Sequence, residues 1–176
     1  MKHLPFILIL WTVFSNITNA QTSRVVSGST NFSVKFVLGT CDGTFDAPKG
    51  TAVFDENNPG KSSFNLTIDA SSFQTGNKTR DKDMKSEKYF HVAKFPEIRF
   101  KSSKIEKSGN NYRASGTLII RDVSKNVTLP FDAKKNKDGG YTLSSQFEVN
   151  RLDYQIGEKD WKLKDIVTVQ IVAEIH

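Results

Sequence analysis

The chain has 176 residues, 25 of them basic and 19 acidic for a formal net charge of +6, and a single cysteine. That positive excess is too small to name a polyanionic partner, and one cysteine leaves no internal disulfide to hold an exported fold together. Stability has to come from packing and backbone pairing.

Residues 1–20 are expected to be a signal peptide. Lys2 and His3 give a basic start, Leu4 to Phe14 an apolar run, and Thr18-x-Ala20 a small-residue cleavage site that would leave Gln21 first. The run falls well short of the roughly 20 residues a membrane-spanning helix requires. Residues 21–176 then suit one domain with a substantial core. The expected location is periplasmic or secreted.

Period-two alternation dominates the rest of the chain, placing successive side chains on opposite faces of strands. Phe32, Val34, Phe36 and Leu38 share one side of the first run. Cys41, followed by Asp42 and Gly43, reads as part of a turn and as an incidental thiol. Phe64, Leu66 and Ile68 share a face in the next run, and Ile98 and Phe100 in "EIRFKS". Tyr112, Ala114, Leu118 and Ile120 come after them, with Gly116 allowing a bend or a close approach. Val127, Leu129 and Phe131 come next, then Tyr141, Leu143, Phe147 and Val149, and finally Val167, Val169, Ile171, Ala173 and Ile175.

Turn-forming stretches, "DENNPGKS", "KSGNN" and "NKDGG", separate the runs. Strands joined by short loops predict an antiparallel sheet that covers its apolar face with a second sheet or closes on itself. A closed barrel of eight strands can be packed solid or hold a small ligand, and the alternation leaves both open.

The alternation fails at "TGNKTRDKDMKSEKYFHVAKFP", Thr75 to Pro96. A short helix is predicted over 77–86, capped by Asn77 or Thr79, with Arg80 and Met84 on one side. From Lys78 to Lys88, five basic residues interleave with three acidic ones for a net charge of +2, which argues against a phosphate-binding surface and so against nucleic acid. Beyond the signal sequence the histidines are His91 and the terminal His176, so no metal-ligand spacing occurs and no metal is expected. No nucleophile elbow or phosphate-cradling loop occurs either. Arg151, Asp153 and Tyr154 in "NRLDYQIG" read as a strand end held by an Arg–Asp pair and a packed tyrosine.

The run from "IDASSFQTGNKTRDKDMKSEKYFHVAKFPEIRF" through "GTLIIRDVSKNVTLPF" to "NRLDYQIG" resembles the YceI-like family of exported, lipocalin-like lipid-binding proteins. Its most specific part joins Thr75-Gly76-Asn77, Arg80-Asp81, Met84, Ser86, Tyr89-Phe90 and Phe95-Pro96, and the likeness extends over nearly the whole chain beyond residue 20. It departs from the family where His is frequent at Asp83, Asp at His91, and Gly at Asp122 and Gln155.

The resemblance implies an all-β, lipocalin-like barrel of eight antiparallel strands with a short helical insertion around 77–86. It implies an elongated apolar cavity holding a polyisoprenoid or similar long-chain lipid, such as a quinone tail, with no resident cofactor beyond such a lipid and no catalysis. The inward positions named for the cavity wall are Phe32, Val34, Phe36, Phe64, Leu66, Ile68, Ile98, Phe100, Leu118, Ile120, Leu129, Phe131, Phe147 and Val149, with Met84 and Phe90 closing it. A carrier of this kind is compatible with transient contact with a membrane surface. The rival readings are a solid-packed interaction or envelope-stress module and, more distantly, a hydrolase or isomerase acting on lipid.

Overall fold

The computed structural model describes residues 24–176; the expected signal peptide lies outside the described residues. Nine antiparallel strands run as β1 (Val25–Phe36), β2 (Gly39–Phe45), β3 (Lys49–Val53), β4 (Ser63–Asp69), β5 (Glu97–Ser108), β6 (Asn111–Ile120), β7 (Val123–Lys135), β8 (Tyr141–Asn150) and β9 (Leu163–Ile175). They form one curled sheet in the order β2-β1-β9-β8-β7-β6-β5-β4-β3. The lipocalin-like antiparallel barrel is the expected kind, with nine strands where eight were expected.

Seven of these strands carry the alternation of large apolar residues. The other two, β2 and β3, do not, for a steric reason. Phe32 lies opposite Gly43 in the β1–β2 register, and a Cβ on Gly43 would sit 2.2 Å from the Phe32 ring. Ala52 of β3 lies opposite Phe64 and is fully buried. The large side chain of each pair takes the space of both, so β2 and β3 keep small residues inward and lose the pattern. Cys41 accordingly sits in β2, half-buried and paired with Val34, rather than in a turn.

Strands β2 and β3 are the two edges of the curl. At one end a bridge between Arg24 and Thr51 brings β1 and β3 together. At the other the segment between β4 and β5 crosses the gap, and Thr44 and Gln74 exchange backbone N–H···O bonds of 2.8 and 3.0 Å. Neither edge is left as a long open template for pairing. Gly116 allows a close approach, as expected: an added Cβ would lie 2.3 Å from the Lys101 carbonyl oxygen, beside a bulge between Ser102 and Lys104.

Within the crossing segment, α1 (Lys78–Met84) lies inside the expected span. Asn77 caps it, its side-chain oxygen accepting the Arg80 N–H at 3.1 Å. "DENNPGKS" is a turn, with the Asp55 carboxylate accepting the N–H groups of Asn57 and Asn58.

Gln155 takes a left-handed conformation, φ 56°, and closes the 3-10 helix Arg151–Tyr154. In the β6–β7 turn the left-handed residue is Arg121, φ 57°, rather than its neighbour Asp122.

Candidate functional site

The inward rows of the strands enclose a cavity of about 390 Å³. All sixteen wall positions named from the sequence border it, including Met84 and Phe90. For the fourteen on strands, alternation explains why: once one residue of a strand faces inward, every second one does, whereas Met84 and Phe90 are brought in by the crossing segment.

One end is plugged. Phe54 meets Tyr112, Tyr141 and Phe131 edge-on with ring centres 4.9, 5.1 and 5.7 Å apart, and Tyr112 stacks on Phe131 at 5.3 Å. Ile105 and Ile175, among the most deeply buried side chains, complete this plug. Burial raises the Tyr112 and Tyr141 hydroxyls above the ordinary tyrosine pKa, with Glu56 adding to the effect, so the plug stays uncharged.

Near the opposite end lies a second aromatic group under the crossing segment. Phe32 stacks on Phe73 at 4.9 Å, and Phe45 meets Phe73 and Phe90 edge-on at 5.4 and 5.7 Å. Here the charged helix α1 shows its purpose: its polar face meets water while Met84 borders the cavity.

The alternation places several more wall residues on a strand face without assigning them to the cavity. Val167, Val169 and Ile171 of β9, Leu143 of β8 and Ala114 of β6 border the cavity, and inward parity alone could have identified them. Phe45 and Phe73 lie where no alternation exists, so only the tertiary fold places them. Arg80, on the Met84 side of α1, and Thr30, in the inward row of Phe32, also border it, as do Arg151 and Cys41, whose spacing marks neither.

Arg151 does have a carboxylate partner, but it is Asp165 and not Asp153. Nη2 donates to Asp165 Oδ1 at 3.0 Å, Nη1 to the carbonyls of Ile156 and Glu158 at 2.9 Å each, and Nε to the Lys164 carbonyl at 3.2 Å. Its side chain is 6% exposed and ties the end of β8 to the start of β9. Asp153 instead pairs with Lys125 at 3.7 Å on the surface, an interaction worth little. Tyr154 is buried, as expected.

Thr30 Oγ1 is buried without a hydrogen-bond partner among the described residues. The Cys41 thiol is pushed above its ordinary pKa chiefly by burial and secondarily by Asp42 and Asp81, against an opposing pull from Arg80. It is therefore a poor nucleophile near neutral pH.

Fold and cavity together define an antiparallel β-barrel of the lipocalin-like kind with a hollow apolar interior. A family model described as the YceI-like domain matches residues 16–175, and the chain belongs to that family. The UPF0312 protein plu2095 of Photorhabdus laumondii is 30% identical over 141 residues, covering 75% of this chain and 73% of that protein. Among solved structures, Burkholderia cenocepacia BcnA superposes with a TM-score of 0.79 at 23% identity, covering 84% of this chain and 95% of its own. A polyisoprenoid binding domain from Saccharophagus degradans superposes with a TM-score of 0.68 at 14% identity, covering 88% and 98%. At those identities the two structures bear on the fold.

Proposed function

We propose that this protein is a non-catalytic carrier or sequestering protein, exported to the periplasm or secreted, that holds an apolar-chain lipid of the polyisoprenoid type in its barrel. The observation that carries the reading is the cavity of about 390 Å³ behind a wall built almost wholly of apolar side chains. Such a space favours a hydrocarbon chain, since each buried CH₂ contributes about 0.8 kcal/mol and needs no directed hydrogen bond.

Volume limits the occupant. A cavity of about 150 Å³ holds a benzene ring, so this one suits roughly 15 carbons, about three isoprene units, with any longer tail left outside. The Saccharophagus degradans neighbour, a polyisoprenoid binding domain, supports the same ligand class. A solid-packed module is disfavoured by the cavity itself. An enzyme reading centred on Arg151 and Asp153 is disfavoured because the first is committed to four internal hydrogen bonds and the second lies in a surface ion pair.

A membrane is the proposed source of the lipid. Phe36, Val37, Leu38, Trp161 and Ile166 are the exposed large apolar side chains among the described residues. The β1–β2 turn and the loop before β9 are tied by a bond from Val37 N–H to the Lys162 carbonyl at 2.9 Å. Phe36 and its partner Leu163 also border the cavity, so the apolar tip is continuous with the wall. Lys35, Lys159, Lys162 and Lys164 lie beside this tip in sequence, with Lys162 over the Trp161 ring at 5.4 Å. An aromatic tip flanked by lysines complements the apolar–phosphate boundary of a phospholipid bilayer.

The deciding experiment is solvent extraction of the purified protein with mass spectrometry, followed by titration with farnesol. Stoichiometric prenyl lipid, or saturable farnesol uptake, is expected. An empty barrel that takes up no isoprenoid would overturn the reading.

A further inference from the structure

The charged side chains bordering the cavity are Arg80 and Arg151, both cationic. Arg151 is neutralised by Asp165 and spends its donors on carbonyls. Arg80 is different. Its Nε donates to Thr75 Oγ1 at 2.7 Å and Nη2 approaches the Thr75 carbonyl at 3.4 Å, while Nη1 has no partner among the described residues.

Two carboxylates lie within three residues on the same helix, yet neither pairs with Arg80. Asp81 Oδ1 is taken by Thr75, accepting its N–H at 2.9 Å and its hydroxyl at 2.6 Å. Asp83 makes no ion pair among the described residues within 4 Å. The chain Asp81, Thr75, Arg80 therefore orients a solvent-exposed guanidinium at the cavity boundary with no carboxylate directly paired to it among the described residues. An arginine that only covered apolar surface with its stem would not need Asp81 to hold the threonine that holds it.

We propose that Arg80 is an anchor for the headgroup of an anionic lipid, a chain ending in phosphate or carboxylate, with the chain inside the barrel and the headgroup at α1. A guanidinium receives two oxygens of such a group through parallel N–H donors, whereas an alcohol or a plain hydrocarbon offers it no charge to meet. Thr75 and Asp81 act as positioning residues. This inference rests on the cavity reading above and narrows it to a ligand class.

The test compares farnesyl phosphate, a fatty carboxylate of similar length, and farnesol on the same protein. Wild type is expected to bind the two anions at least about tenfold more tightly than farnesol at low salt, with the ratio shrinking as salt rises. In Arg80→Gln the ratio falls to about one, and Arg80→Lys keeps part of it because charge remains but the fork is lost. Thr75→Val, which keeps Arg80 but frees it, also lowers the ratio. Inorganic phosphate should compete only weakly, since it brings no chain. Equal affinity for anion and alcohol in the wild type, or an undiminished ratio in Arg80→Gln, overturns the anchor while leaving the carrier reading intact. Binding of none of the three overturns both.

Discussion

Replacing Leu66 by aspartate places one charge on the cavity wall with limited disturbance elsewhere. Leu66 lies opposite Phe100 and Gly50 and is only partly buried because the open cavity lies before it, so the empty barrel can hydrate a carboxylate there. Ligand entry strips that water. The effective penalty for desolvating a carboxylate is several kcal/mol, against about 2 kcal/mol for the lost leucine contacts.

Together these predict that farnesol affinity falls by about 100-fold or more at neutral pH. The diagnostic part is the pH profile. Ligand raises the pKa of the new carboxyl, so binding takes up a proton, and affinity must recover as pH falls through the carboxyl range, from about 6 toward 4. Farnesol is the right probe because it does not titrate there. The assay is calorimetric or fluorescence titration on a variant shown folded by circular dichroism. A folded variant with wild-type affinity at neutral pH, or one whose lost affinity stays lost at low pH, would refute a dry hydrocarbon-binding wall.

Other perturbations test separate parts of the structure. Arg151→Met leaves the carbonyls of Ile156, Glu158 and Lys164 and the Asp165 carboxylate without their donor, and should cost about 3–5 kcal/mol in urea unfolding. Asp165→Asn keeps those carbonyl bonds and should cost about 1 kcal/mol; equal losses would count against this apportionment. Gln155→Gly should stabilise by about 0.5–1 kcal/mol, because the left-handed backbone at φ 56° is strained for any side chain, and a lower melting point would contradict that.

The Cys41 thiol, pushed above its ordinary value of 9.0, holds less thiolate at any given pH than a free cysteine. Alkylation should therefore be slow at neutral pH, accelerate as pH rises past 9, and be slowed further by farnesol; rapid neutral labelling indifferent to ligand would be the contrary result. In a chain lacking residues 1–20, Trp161 is the sole tryptophan, so its emission should shift to the blue with phospholipid vesicles. Leu38→Asp should lower vesicle cosedimentation by about fivefold or more, and unaltered sedimentation would argue against this tip.

Chain pattern alone determined most of the barrel. Wherever both inward neighbours are large, as at Phe32 and Val34 or Leu118 and Ile120, strand geometry forces a common face, and all sixteen positions read from that rule and from the family likeness border the cavity. The Asn77 cap and the helix behind it were equally legible, since capping is a local interaction.

Tertiary structure decided the rest. Strands β2 and β3 were hidden because Phe32 and Phe64 occupy the space their side chains would need, a fact visible only once the strands are side by side. Arg151 chose Asp165, fourteen residues away, over Asp153 nearby, because β8 and β9 are paired and the closer carboxylate points to Lys125. Periodicity records which face a side chain takes, but not how far the opposite wall stands. Whether the interior was solid or hollow therefore waited for the packing of nine strands around one space.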